Sequence, residues 1–241
     1  MLFTALTDFV APPYTVRQSP DSDSGLTAFF TRKEKEILQK TLGLIFWNAL
    51  KSGVEALPAE WTTTPHPHYS IGDRVVYGLS IYQSTINNNQ NVPDTLIGWT
   101  LQPVDRWLVL KKGTTYNWSG FEQQWLGFNE AIVPYLHAEY LREYAHSITG
   151  SGAVISAAEN ATIVNPTPMI VAGYNRFAEL IGVLYDDQYP SANENQDSLY
   201  GYLYENYEDF NDLVTSKGYT DFREYLADKF CYPEYINAFG L

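Results

Sequence analysis

Residues 58–112 carry eight helix-breaking residues: Pro58, Pro65, Pro67, Gly72, Gly78, Pro93, Gly98 and Pro103. Proline removes a backbone donor and fixes φ, and glycine costs a helix backbone entropy, so no continuous helix crosses this stretch. On either side, apolar residues recur at helical spacing. Before it, Leu38, Leu42, Ile45, Phe46 and Ala49 recur through "EKEILQKTLGLIFWNAL". After it, Phe121, Trp125, Phe128, Ile132, Leu136 and Tyr140 form one stripe. The pattern therefore predicts a helical body interrupted by a non-helical unit.

Within the interruption, "RVVY", "SIYQST", "GWTLQ" and "RWLVLK" read as short strands, with a hairpin turning near Gly78 and a polar loop at "INNNQNVP". Thr31 with Glu34, and Ser119 with Glu122, have capping-box spacing and predict the starts of the first two helices. Gly53 and Pro58 end the first, and Pro134 kinks or divides the second. A small-residue connection, "TGSGAVISAAENATIVNP", leads to a third helix from about Pro168, a fourth over "SLYGYLYENYEDFNDLV" and a short one over "TDFREYLADKF". "APPY" and "SPDSDSG" near the start are turn signals. The expected class is mainly α with a small antiparallel β insertion and an extended arm and tail. The expected division is an arm over 1–28, a helical body over 29–57 and 113–241, and the β insertion over 58–112.

The 241 residues are enough for one large domain or two small ones. Net charge is −13, and the densest cationic stretch, "TRKEKEILQK", is diluted by Glu34 and Glu36. That excludes the basic footprint a duplex-binding protein needs, while an acidic surface lets DNA pass without holding it. Cys231 is the one cysteine, so no intrachain disulfide forms. The first residues lack a basic n-region, and no apolar run reaches about 20 residues. The expectation is a protein made in a cytoplasm and kept there or assembled into a particle. With 19 Tyr, 12 Phe and 6 Trp, the chain is rich in rings that suit half-buried contacts.

Catalytic motifs are absent: there is no G-x-S-x-G, phosphate-cradling loop, H-E-x-x-H or Cys–His signature. Asp186–Asp187 and Glu208–Asp209 are adjacent pairs, and neighbours on a helix point about 100° apart. His66 and His68 have no further ligands nearby in sequence. "DSDSG" at Asp21–Gly25 lacks the later acidic positions of a calcium loop. The reading is not an enzyme, with no cofactor and no metal. Tyr200, Tyr204 and Tyr207 share one helical face beside acidic residues and suit a subunit contact with a wet rim.

Tyr69, Gly72-Asp73, Val75, Tyr77, Ile81-Tyr82-Gln83 and Trp99 follow a spacing that resembles small chitin-binding-type β-modules of the family 5/12-like carbohydrate-binding fold. The resemblance covers about 40 residues and implies sugar stacking on exposed rings, with Trp61, Tyr82 and Trp99 as candidates. The same residues also suit the centre of a small docking module.

A second resemblance covers roughly residues 28–190. It is carried by the order of "FFTRKEKEILQKTLGLIFWNAL", "VLKKGTTYNWSGFEQQW", "EYLREYAHSITGSGAVISAAENATIVNP" and "MIVAGYNRFAELIGVLYDDQYP". This order resembles neck proteins of tailed bacteriophages, crAss-like phages included, which are similar to the head–tail connector adaptors stacked below the portal. The resemblance implies a structural virion protein that closes with itself into a ring, twelve-fold in that family. Its neighbours would be the portal and other neck or tail proteins, and DNA would pass through. Phe29, Phe30, Trp47, Trp118, Trp125 and the Tyr200–Tyr207 face are the expected packing and contact residues.

Overall fold

The computed structural model describes residues 2–16, 23–62, 68–118, 120–150, 166–182 and 197–233. Among them are seven helices and two small antiparallel sheets.

Helix α1 spans Asp23–Glu55 and bends sharply at Gly43, whose φ of 73° and ψ of 158° are not helical. Leu38, Leu42, Phe46, Leu50 and Val54 follow every fourth residue through the bend, and all are buried. Thr31 lies inside this helix, where its hydroxyl donates to the Thr27 carbonyl at 2.7 Å, so it does not cap the start. Glu34 turns inward instead. Its carboxylate accepts from the Leu2 and Phe3 N–H groups at 2.7 and 3.5 Å and from the Thr4 hydroxyl at 3.2 Å.

That carboxylate corrects the expected arm. The described residues 2–16 pack on the body: Phe3, Phe9 and Val16 are buried, and Phe9 stacks on Phe30 at 4.4 Å. Residues 23–28 belong to α1. Turn signals report local backbone; they do not report that Phe3 and Phe9 sit among the buried residues of the core.

The three-stranded sheet has the order β1 (Arg74–Tyr77), β2 (Ser80–Ser84), β3 (Trp99–Leu101). Tyr77 pairs with Ser80, so the hairpin turns through Gly78 and Leu79 as expected. "RWLVLK" is not a strand. It forms α2 (Arg106–Lys112), because the Asp105 carboxylate accepts from the Trp107 and Leu108 N–H groups and Gly113 closes the last turn. α2 carries the sheet: Leu108 packs with Val76 and Ile81, and the Lys112 ammonium meets Glu60 at 2.7 Å and the Gly78 carbonyl at 2.9 Å.

The second sheet lies outside the expected insertion. β4 (Thr114–Trp118) pairs with β5 (Phe121–Trp125) where a helix start was expected. Gly113 and Gly127 close its base with φ of 92° and 87°; a Cβ on Gly127 would stand 2.4 Å from the Lys112 carbonyl carbon. Glu122 is a strand residue, and Ser119 lies outside the described residues. Phe121 is consequently exposed, whereas Trp125 stays buried at the strand end.

Helix α3 (Phe128–Gly150) runs through Pro134 without dividing. α4 (Thr167–Ile181) buries Phe177, Ala178 and Ile181 and brings Gly173 against the Pro134 carbonyl. The expected fourth helix is broken. α5 (Leu199–Glu205) stops at Asn206, a 3-10 turn covers Tyr207–Phe210, and α6 (Asn211–Val214) is a single turn. α7 (Phe222–Lys229) begins at Asp221, whose carboxylate accepts from the Glu224 N–H. Many rings of the aromatic excess meet inside: Phe46 lies 5.6 Å from Phe210 and 5.0 Å from Phe222.

Candidate interaction surface

Three helices are tied at one buried carboxylate. Glu139 on α3 meets Lys33 of α1 at 2.7 Å and Arg142 at 2.6 Å, and it accepts from the Tyr174 hydroxyl of α4. Its side chain is 3% exposed, so losing one cation would leave an uncompensated buried charge. Burial, and then the hydrogen bond to Glu139, raises the Tyr174 pKa well above the ordinary tyrosine value. Burial likewise raises that of Tyr135. Both hydroxyls stay protonated at neutral pH, and that of Tyr174 donates to Glu139. The group is a clasp, with its charges matched inside the chain.

Beside the clasp lies an open pocket of about 540 Å³ between α1, α3, α4 and residues 231–233. Ile37, Ile170 and Phe177 line it with apolar surface, Lys40 and Arg142 add cations, and Cys231 opens onto it.

The residues expected to form subunit contacts divide by burial. Phe30 is fully buried against Phe9, Phe29 and Tyr140, and Tyr200 is 9% exposed against Tyr204, Phe230 and Tyr232. Both are therefore packing residues of their own chain. Phe29 is half-buried, with the Arg32 and Lys33 side chains over its ring at 5.9 and 5.8 Å. Tyr204 and Tyr207 are half-buried and are joined by Arg223, whose guanidinium lies 4.4 Å from one ring and 3.9 Å from the other. The helix break at Asn206 places them on different elements, so no single helical face carries Tyr200, Tyr204 and Tyr207. Trp47, Trp118 and Trp125 are all buried.

The three rings considered for sugar stacking do not form one platform. Trp99 is 4% exposed, packs on Tyr69 at 5.3 Å and donates its indole N–H to the Asn91 carbonyl at 2.8 Å. It is a buried packing residue of the module, on the β3 strand. Trp61 and Tyr82 are half-buried and are linked through Tyr77, with centroid separations of 5.5 and 6.4 Å. Tyr77 was missed as a site residue, although strand alternation puts it on the Tyr82 face.

The opposite signal is aliphatic. Ile71, Leu79, Ile86, Leu96, Ile97, Leu101 and Val104 are exposed, all on or beside the three-stranded sheet. No motif reports this, because each residue alone looks like an ordinary strand or loop residue.

Among the described residues, no group of three His, Cys, Asp or Glu side chains gathers as a metal site. His68 is exposed beside Gln90, and His66 lies outside the described residues. Asp21 and the Asp186–Asp187 pair also lie outside them, and Gly25 is helical rather than part of a loop. No family model, curated protein or solved structure matches the chain.

Proposed function

We propose that this chain is a structural virion protein that closes with copies of itself into a ring in the neck of a tailed bacteriophage. The ring joins the portal at the head to the tail and lets DNA pass. The observation that carries the reading is the concentration of exposed aliphatic side chains from Ile71 to Val104 on one small β unit. Apolar surface gathered in one region of a chain is the mark of a contact surface. The order of helical pieces, similar to that of neck adaptors, supplies the setting. The net charge of −13 fits a channel that repels the genome it passes. Among the described residues no helix is long and apolar enough to cross a membrane.

The partners on this reading are neighbouring copies, the portal and other neck or tail proteins. The ring is twelve-fold, as the resemblance implies, and the chain is made in the host cytoplasm and ends at the head–tail junction. Quantitative mass spectrometry of purified virions tests this. The expected copy number equals that of the portal protein. Absence from virions, or a several-fold excess over portal, contradicts it.

The Trp61–Tyr77–Tyr82 row favours a second reading, a glycan-binding appendage protein acting through the β unit. It requires binding on a glycan array that Trp61→Ala abolishes.

A further inference from the structure

The end of the β unit away from the Gly78 turn is an aliphatic knob. Ile71, Ile86, Leu96 and Ile97 lie just outside the ends of β1, β2 and β3, and all four are exposed. Their segments are tied together at this end: the Ile71 N–H donates to the Asn87 side chain at 3.2 Å, and the Ile86 side chain lies over Gly98, the residue after Ile97. Leu96 is the telling member. Its backbone is left-handed, with φ of 57° and ψ of 9°. A leucine is strained in that conformation, and asparagine or glycine adopts it with less cost. The strain is not offset by burial, since the side chain is 57% exposed. Leu96 takes this conformation as the cap of the Pro93–Thr95 3-10 turn, its N–H donating to the Pro93 carbonyl, and the turn presents the leucine side chain to solvent.

The pocket beside the Glu139 clasp is complementary. Its apolar wall is the half-buried Ile37, Ile170 and Tyr232 over the buried Phe177, and about 540 Å³ accommodates two aliphatic side chains. The charges match as well. The knob carries Asp94, exposed and two residues from Leu96. The pocket carries Lys40, exposed and in no ion pair among the described residues; its other charges are met within the chain, Arg142 by Glu139 and Glu36 by Arg32 and Lys33.

We propose that the Leu96–Ile97 knob of one copy seats in the α1–α3–α4 pocket of a second copy, with Asp94 facing Lys40. The inference rests on the ring reading and supplies its lateral contact. Two different patches on one chain make a head-to-tail contact, the kind that closes rings.

Cys231, the single cysteine, opens onto the pocket and makes the test direct. Virions carrying Ile97→Cys are treated with a mild oxidant, with Cys231→Ala added as a control. A disulfide needs Cβ atoms about 4 Å apart, so it reports docking at that spot. Disulfide-linked multimers that map to position 97 of one copy and Cys231 of the next, and that vanish with Cys231→Ala, are the expected result. A chain present at portal copy number without that cross-link overturns the knob-and-pocket contact and leaves the ring reading standing. A chain absent from virions overturns both. Leu96→Asn, combined with Ile97→Cys, removes misfolding as an explanation: it relieves the strained backbone, so the melting temperature is expected to hold or rise while the cross-link yield falls at least tenfold. Undiminished cross-linking in that variant also overturns the proposal.

Discussion

The hydroxyl of Tyr225 occupies the bend that Gly43 makes in α1. It accepts from the Phe46 N–H at 3.2 Å and donates to the Leu42 carbonyl at 2.8 Å. In an unbroken helix those two groups would bond to each other, four residues apart. The inserted hydroxyl replaces that bond, one of the recognised causes of a sharp bend. The buried ring carries the fixing point of α7 into the middle of α1, 183 residues away in sequence.

Tyr225→Phe keeps the ring and removes the bridge. Two buried backbone groups are then left without their partner, at a cost of about 1–3 kcal/mol. Chemical denaturation is expected to show that loss with an unchanged denaturant slope. No change in midpoint would mean that water or a re-formed helical bond serves equally well.

Gly43→Ala tests the other half of the bend. The backbone there is in a region nearly confined to glycine, which costs other residues about 1–3 kcal/mol. The added Cβ would also stand 2.6 Å from the Tyr225 hydroxyl oxygen and 3.2 Å from the Lys229 Cβ. The double variant Gly43→Ala with Tyr225→Phe is expected to lose less than the sum of the two, because the clash and the bridge share one atom. Strict additivity would refute the coupling.

Trp125→Ala is expected to cost about 3–5 kcal/mol. Its ring is fully buried, packs edge-on against Phe128 at 5.4 Å and donates its N–H to the Leu110 carbonyl at 3.2 Å. An unchanged melting temperature would remove Trp125 from the core.

His137 on α3 ties down the N-terminal segment through the Thr15 carbonyl at 3.3 Å, with Tyr14 edge-on at 5.6 Å. Burial lowers its pKa below the usual 6.5 or so, and the bond to Thr15 only partly restores it. A histidine harder to protonate folded than unfolded takes up a proton on unfolding. Its contribution is complete above the unfolded value and is lost as pH falls from there toward the folded one. Glu34 works the other way. Burial raises its pKa, so its contribution is complete below the ordinary carboxylate value and is lost as pH rises through the folded one. The fall in melting temperature between pH 7.5 and 5.5 is therefore expected to be smaller in His137→Leu than in the native chain. An equal fall would assign the slope to other groups.

The helices α1, α4 and α7 were legible as segments from their apolar periods, but the start of α1 was not, since Thr31 and Glu34 have cap spacing well inside a helix that begins at Asp23. Leu38, Leu42 and Phe46 keep the period even across the Gly43 bend. α2 was not legible as a helix, since Trp107 to Leu110 is a continuous apolar run that suits a buried strand or helix alike. Asp105 was the signal that separated them. The β4–β5 hairpin was hidden because Ser119 and Glu122 mimic a capping box, although Thr114, Thr115 and Tyr116 favour a strand.

Site residues were less legible than the frame, because exposure is a tertiary property. Trp99 and Tyr82 look alike in a motif, and only packing separates a buried ring from a half-open one. The Leu96–Ile97 knob has no motif, since its signal is a positive φ at a leucine.

Electron microscopy of intact virions decorated with an antibody against this chain tests the ring most directly. Label confined to the neck, between head and tail, is the expected result. Label on fibres or other outer appendages, or no label on particles, would contradict it.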